Sequence, residues 1–328
     1  MVAAVRGETA EASAASVVGE GSGEGFGAVG VDLRFDELSG APVLVSPGRQ
    51  RRPDRPADDC PFCVGGLEAP EPYTAKAFPN RWPSFPDGRS EIVLYTPDHD
   101  RAFWQLGAEG VARVVDLWAD RTEALGHRDD VDYVLVFENR GTEVGATIDH
   151  PHGQLYALDR IADAALTELR RSARDGCPLC RRPPAELVVA EAGGWTAWVP
   201  RASAYPYGLL LAPDAHTPDL PALDRGQRDG LATLLADVLA RFDRLFDRPL
   251  PYMLWIHQRP TDGGAWPEAH LHVHLVSPSR APGSLRHVAA GELGSGLFVN
   301  PVAPEDAASA LRQATPPAGL APSAPAEA

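Results

Sequence analysis

The sequence predicts an α+β fold made of two tandem units, each an antiparallel sheet with a packed helix. Three observations predict it. First, the chain repeats itself. Cys60-Pro61-Phe62-Cys63 returns as Cys177-Pro178-Leu179-Cys180, and Pro97-Asp98-His99 returns as Pro213-Asp214-Ala215-His216, both at an offset of 117 residues at the cysteines and histidines. His150-Pro151-His152 has its counterpart 120 residues later in His270-Leu271-His272. Unlike residue types repeated at nearly one offset mark a duplicated unit. Second, each unit runs through short strands with one long helical segment among them, which suits antiparallel α+β units rather than a doubly wound parallel sheet. Third, no glycine-rich loop opens a helix, so neither a phosphate loop nor a dinucleotide fingerprint is present. The units span 31–160 and 161–314. The flanking segments 1–30 and 315–328 are rich in Ala, Gly, Ser, Glu or Pro and read as disordered tails.

The elements follow in order. Leu33 to Pro53 reads as strand–turn–strand, with Asp36-Glu37-Leu38-Ser39-Gly40 as the turn and Val43-Leu44-Val45 as the second strand. Arg49, Arg51 and Arg52 come next. In so acidic a chain they form either an exposed charged loop or an anion site. Phe78-Pro79-Asn80-Arg81-Trp82-Pro83 reads as a polar and aromatic loop, and Glu91 to Tyr95 as a strand. From Gly107 to His127, apolar Val111, Val114, Val115, Trp118 and Leu125 recur at helical spacing and predict a core helix. Tyr133 to Phe137 is a strand that delivers Asn139 and the paired histidines. The second unit offers the strand Leu209-Leu210-Leu211, a helix over 224–246 and the strand Tyr252-Met253-Leu254-Trp255-Ile256.

Composition limits the partners. Forty-five acidic against 30 basic residues give a net charge of −15, which argues against non-specific nucleic-acid or membrane-surface binding. A phosphorylated substrate would be repelled by the overall field, so local Arg side chains, backbone N–H groups or a metal must attract it. The first thirty residues show no charged region followed by an apolar run, and no stretch of about eighteen apolar residues exists. A cytoplasmic protein is expected, in which two Cys-x-x-Cys pairs serve metal binding or redox chemistry rather than disulfides.

Two groups of residues carry the chemistry. Cys60, Cys63, His99 and His150 form a Cys₂His₂ set, and four N/S ligands with no open position point to structural zinc. The other reading is that the thiols are buried and inert. His150 and His152, two apart on extended backbone, point the same way, and Pro151 stiffens them. Gly153 then lets backbone or substrate come close. If His150 holds the metal, the metal fixes the strand that carries His152, an imidazole suited to act as a base or nucleophile. In the second unit two overlapping sets stay open: Cys177, Cys180, His216 and His270 by internal symmetry, or Glu168, His257, His272 and His274 as a His₃-carboxylate set.

Phe137-Glu138-Asn139-Arg140-Gly141 followed by His150-Pro151-His152-Gly153-Gln154 resembles the signature of the galactose-1-phosphate uridylyltransferases of the histidine-triad superfamily. The resemblance extends from about Asp32 to Arg312. It takes in the Val45–Arg49 segment, the Cys60/Cys63 pair, Asn80, Pro97-Asp98-His99, the His272/His274 pair, Gly291-Glu292 and Phe298-Val299-Asn300-Pro301. It implies two histidine-triad-like domains, the first of them catalytic, with His152 as nucleophile and zinc on Cys60, Cys63, His99 and His150. It further implies that Asn139, Gln154 and the turn Gly145-Ala146-Thr147 contact phosphates, that Asn80 and Arg81 lie near the nucleoside, and that Glu292 belongs to the sugar subsite. Arg49 and Arg52 would reach the nucleotide sugar of the partner subunit, because the family is a homodimer with shared sites. Glu168, His257, His272 and His274 would hold a second, non-catalytic metal, iron or zinc. The chain departs from the family pattern at Thr147, where serine is usual, and at Arg286-His287-Val288, where the usual tyrosine is missing.

The implied reaction converts UDP-glucose and galactose 1-phosphate to UDP-galactose and glucose 1-phosphate through a uridylyl-histidine, with ping-pong kinetics. Gln154 fits it, because an amide donates hydrogen bonds but has no transferable proton, and a sugar phosphate leaves as a stable anion that needs none. The alternative is a nucleotide-sugar phosphorylase, acting for example on an ADP-sugar, by the same covalent histidine. A third reading, from a different class, is a zinc-stabilised binding protein in which the His motif is structural.

Overall fold

The computed structural model describes residues 31–47 and 60–315. Arg49, Arg51, Arg52 and both tails lie outside the described residues. Strands β1 (Asp32–Phe35) and β2 (Pro42–Val45) pair as an antiparallel hairpin and belong to a compact unit of their own. Its turn is the one the sequence suggests. Asp36 Oδ1 accepts hydrogen bonds from the Ser39 N–H at 2.7 Å and the Leu38 N–H at 3.2 Å, the local bonding that makes Asp a turn former.

The other unit, described over residues 60–315, is organised by one nine-stranded sheet. Its strands are β3 (Lys76–Pro79), β4 (Ser90–Leu94), β5 (Tyr133–Arg140), β6 (His152–Leu158), β7 (Val188–Ala192), β8 (Trp195–Trp198), β9 (Tyr207–Pro213), β10 (Tyr252–His257) and β11 (His272–Ser277). All neighbours pair antiparallel, in the order β3-β4-β6-β5-β10-β11-β9-β8-β7. The two repeats thus contribute strands in mirrored order, and their sheets join edge to edge where β5 pairs with β10. Among the described residues five α-helices accompany the strands: α1 (Gly107–Gly126), α2 (Asp163–Asp175), α3 (Arg225–Leu245), α4 (Ala290–Ser295) and α5 (Pro304–Gln313). A short hairpin, β12 (Ser279–Ala281) with β13 (Ser284–Leu285), follows β11.

The sheet has one covered and one open face. Alternate residues Val93, Val134, Val136, Leu155, Ala157, Leu254, Ile256, Val273 and Leu275 point to the covered face and join a single core with α1 and α3. On α1 the buried positions include Val111, Val114, Val115, Trp118 and Leu125, the stripe anticipated from spacing. α3 begins with a capping box: Asp224 Oδ1 accepts from the Gln227 N–H at 2.8 Å, and Gln227 Oε1 accepts from the Asp224 N–H at 3.0 Å. The other face carries Phe137, Asn139, His152 and Gln154 from the first repeat and His257, His272 and His274 from the second. Trp118 is fully buried against Tyr95 and Phe103. Trp118→Ala should therefore cost about 3–5 kcal/mol by denaturant titration, and an unchanged midpoint would contradict the packing.

Several elements differ from the sequence reading. Phe78 and Pro79, read as the start of a loop, instead end the edge strand Lys76–Pro79. Its residues are half-buried or exposed and hide the pattern, and Pro79, which lacks an N–H, is tolerated at an edge. β7 and β8 are joined by Gly193-Gly194 with φ of 52° and 76°, the positive values a tight hairpin turn demands.

Candidate functional site

The first cysteine pair forms a turn closed by the Cys60 carbonyl, which accepts from the Cys63 N–H at 3.3 Å. β4 ends at Leu94 and the chain runs on to His99, while His150 precedes β6. These three segments bring four ligand atoms within 4.8 Å of one another. Cys60 Sγ lies 3.7 Å from His150 Nδ1, and Cys63 Sγ lies 3.6 Å from the same atom and 3.5 Å from His99 Nδ1. A tetrahedral zinc with bonds of about 2.3 Å to sulfur and about 2.05 Å to nitrogen places S and N roughly 3.6 Å apart, so the set has the size zinc needs. The tautomer fits too. His150 Nε2 donates to the Thr96 carbonyl at 2.7 Å, which leaves the Nδ1 lone pair toward the thiols. Burial, with the neighbouring Cys60, pushes the Cys63 thiol up to about 11; thiols placed like this ionise readily only against a cation.

His152 stands on the open face at the start of β6, buried, with its ring 5.1 Å from that of Phe62. Its Nδ1 lies 2.8 Å from the carbonyl oxygen of His150. A carbonyl only accepts, so Nδ1 carries the proton and Nε2 keeps the lone pair. The nitrogen able to attack an electrophile is thus set by the backbone of a residue that itself belongs to the thiol cluster. Gln154 is next on this face, and Phe137 pairs with it from β5. Asn139, two residues beyond Phe137, shares that face and pairs with Met253 of β10.

The second repeat repeats this geometry and adds to it. Cys177 Sγ is 3.3 Å from His270 Nδ1, and Cys180 Sγ is 3.1 Å from His216 Nδ1 and 3.7 Å from His270 Nδ1. The Nε2 atoms of His270 and His216 meet the carbonyls of Pro213 and Pro267 at 3.0 and 3.1 Å. His272 Nδ1 meets the His270 carbonyl at 2.8 Å, as His152 meets that of His150. Beyond it lies the other set. Glu168, brought over the open face by α2, approaches His257 Nδ1 at 2.7 Å, His272 Nε2 at 3.2 Å and His274 Nε2 at 3.6 Å. His274 Nε2 is buried without a hydrogen bond, as a ligand atom aimed at an ion would be. Burial, with His272 and His257 nearby, pushes the His274 imidazolium down to about 2, so the ring is neutral. Burial alone would raise the Glu168 pKa, but the His257 and His272 rings beside it hold it far below the usual carboxylate range. The two sets that the sequence offers as alternatives therefore both form, with different atoms, because His270 turns to the thiols while His272 and His274 turn to Glu168.

One row of the sheet links the repeats: Ile92, Gln154, Phe137, Trp255, His274 and Leu210 lie side by side. Trp255 stacks on His274 with ring centres 4.6 Å apart and planes at 8°. Three strand spacings, about 14 Å, separate Gln154 from His274.

Comparison with known proteins agrees with this geometry. The sequence model described as "Galactose-1-phosphate uridyl transferase, N-terminal domain" matches residues 73–162, and that of the C-terminal domain matches 180–312. The chain belongs to the galactose-1-phosphate uridyl transferase family. It is 34% identical over 312 residues to the galactose-1-phosphate uridylyltransferase of Thermotoga maritima, covering 86% of this chain and 98% of that one. A solved structure described as a uridylyltransferase superposes with a TM-score of 0.79 at 28% identity, over 86% of this chain and 98% of that one. An ADP-glucose phosphorylase from Arabidopsis thaliana is more distant, 24% identical over 92% of this chain and 98% of its own.

The remaining predicted positions fall as follows. Asn80 follows the edge strand β3; its Oδ1 accepts from the Trp82 N–H at 2.8 Å, and its Nδ2 is buried without a hydrogen bond. Arg81 is exposed, 3.7 Å from Glu68. Gly145, Ala146 and Thr147 follow a 3-10 turn, where the Ala146 N–H bonds back to the Gly141 carbonyl at 3.1 Å. Glu292 is buried in the short helix α4: its carboxylate accepts from the N–H groups of Ala289 at 2.9 Å and Val299 at 2.8 Å and pairs with Arg286. Sequence reasoning missed Tyr95, Glu138 and Tyr252, which meet behind the site on the covered face. Glu138 is part of the family signature, yet nothing in that string says which way it points.

Proposed function

We propose that the protein transfers uridylate from UDP-glucose to galactose 1-phosphate through a covalent intermediate on His152. The observation that carries this is the 2.8 Å contact of His152 Nδ1 with the carbonyl of His150, itself held among the thiols. In the first step Nε2 attacks the α-phosphorus, an N–P bond forms, and the bond to the β-phosphoryl oxygen breaks to release glucose 1-phosphate. In the second, a phosphate oxygen of galactose 1-phosphate attacks the same phosphorus and the N–P bond breaks. Gln154 donates hydrogen bonds to phosphate oxygens and gives up no proton. Asn139 and the Gly145-Ala146-Thr147 turn assist it, Asn80 and Arg81 serve the nucleoside, and Glu292 shapes the sugar loop.

Cys60, Cys63, His99 and His150 would hold zinc, and Cys177, Cys180, His216 and His270 a second zinc. Glu168, His257, His272 and His274 suit iron or zinc. At the first site, with Cys60, Cys63, His99 and His150 all engaged, such an ion would supply rigidity rather than Lewis-acid chemistry. In the same reading the protein is a homodimer whose Arg49 and Arg52 serve the partner's site. It works in the cytoplasm, which accords with four cysteines of which none is in a disulfide. No helix among the described residues is long and apolar enough to cross a membrane.

The test is an exchange assay. Incubation with UDP-glucose labelled in the uridylate should leave acid-labile label on the protein, and galactose 1-phosphate should discharge it as UDP-galactose. Absence of label would contradict the covalent route. Faster discharge by inorganic phosphate, with ADP-glucose as the better donor, would select the phosphorylase instead.

A further inference from the structure

The covered face behind His152 holds a carboxyl that the fold does not require. Glu138 continues the stripe of Val134 and Val136 on β5 and is 3% exposed. An apolar side chain would fill that place without the cost of desolvating an acid. Two phenols instead grip the carboxyl: Tyr252 Oη donates at 2.6 Å and Tyr95 Oη at 3.2 Å. Burial pushes Glu138 up to about 7, against the opposing pull of Tyr252, Arg140 and Tyr95.

Tyr95 is fastened to the catalytic segment twice. Its backbone N–H bonds the Pro151 carbonyl at 3.3 Å. Its ring stacks on Phe103 at 4.2 Å and brings the hydroxyl under Gly153, where any Cβ would overlap Oη and approach Cζ to 3.0 Å. The glycine between His152 and Gln154 is thus needed to admit a phenol from behind. Tyr252 lies on β10, so the grip crosses the seam between the repeats. Beside it Arg140 bonds Asp243 of α3 at 2.6 and 3.0 Å, and the Trp104 indole N–H donates to Asp243 at 2.6 Å.

We propose that Tyr95, Glu138 and Tyr252 act as positioning residues: their hydrogen-bonded chain fixes the peptide at Gly153 and so aims His152 and Gln154. This inference rests on the uridylyl-transfer reading, in which those two side chains face the phosphates. The second repeat thereby contributes to a site built by the first.

The test uses the full-length, metal-loaded protein and the variants Tyr95→Phe, Glu138→Gln and the pair together. Each single variant should slow the uridylylation half-reaction about 10- to 100-fold at saturating UDP-glucose, with KM within about threefold and metal content unchanged. The pair should be no slower than the slower single, because both act through one hydrogen bond. Multiplying losses, or a loss confined to KM, would overturn the proposal. Gly153→Ala should be inactive, and Gly153→Ala with Tyr95→Phe should recover part of the rate. No recovery, with both proteins folded by circular dichroism, would also count against it. A readout independent of turnover comes from ¹⁵N-histidine NMR. His152 should show one Nδ1-protonated tautomer in the wild type and a mixture in Tyr95→Phe. A wild type that takes up no uridylate, with the tautomer mixture still seen in Tyr95→Phe, would reject the transfer reading alone. An unchanged tautomer with unchanged rate would reject the positioning chain alone.

Discussion

His152→Ala is expected to abolish both uridylate labelling and sugar-phosphate exchange, lowering the rate by about 10⁴-fold or more, the scale seen when a nucleophile is deleted from a preorganised site. The size follows from the two-step route. Without Nε2 the only attack left is direct displacement of one sugar phosphate by another, between two anions, in a chain of net charge −15. The fold should survive, because His152 is not among the thiol-cluster ligands and its Nδ1 bond only orients its own ring. The discriminating measurement is therefore label per zinc. The variant should keep its zinc and carry no label. Persistent label in the alanine protein would move the nucleophile elsewhere. Gln154→Glu offers the graded comparison: an anion in place of the amide should repel the phosphates and cost about 10²–10³-fold, while the covalent intermediate still forms slowly. That range matches removal of one transition-state donor from a water-poor site.

The clustering of the cysteines and histidines was legible because they sit in short strings whose spacing survives folding. Cys60-Pro61-Phe62-Cys63 closes its own turn, and His150-Pro151-His152 carries its own tautomer lock. The duplication was legible for the same reason, and α1 was plain because Val111, Val114, Val115 and Trp118 recur on one face. The seam was not legible. β5 and β10 are separated by more than a hundred residues, both are apolar on alternate positions, and nothing local says that two sheets will share an edge. α2 was missed because only Ala165 and Leu169 of it are buried, too few to mark a period, so Glu168 arrived without its helix. The histidines of the second repeat were read as one choice between two ligand sets. His270 precedes the strand, however, and its direction is set by the turn before β11 rather than by strand alternation. Glu138 shows the deeper limit. In sequence it is one letter of a family signature, and only the pleat of β5 sends it away from Asn139 to the back of the sheet.

Cys63→Ser carries the second large effect, and it separates holding the site from performing the reaction. Cys63 faces both His99 and His150, so losing its thiolate opens half of the cluster. A structural zinc is worth on the order of 10 kcal/mol in binding, and losing one of four ligands should lower folding stability by several kcal/mol. For a chain of this size that is a fall in Tm of about 10 °C, at roughly 2–4 °C per kcal/mol. Activity should fall further than stability explains. Below the new Tm the protein is folded, but the His150 ring is no longer pinned between Thr96 and the thiols, so its carbonyl is free to shift and His152 loses its fixed tautomer. Rates measured well below Tm should drop about 10²-fold, and added zinc should restore only part of the loss. Cys180→Ser is the control, because the His270 carbonyl orients His272 rather than His152. That variant should lose zinc and stability but keep its transfer rate within a few-fold at low temperature. If the two serine variants lose activity equally, zinc acts only through global stability, and the link from thiols to His150 to His152 is not what sets the nucleophile.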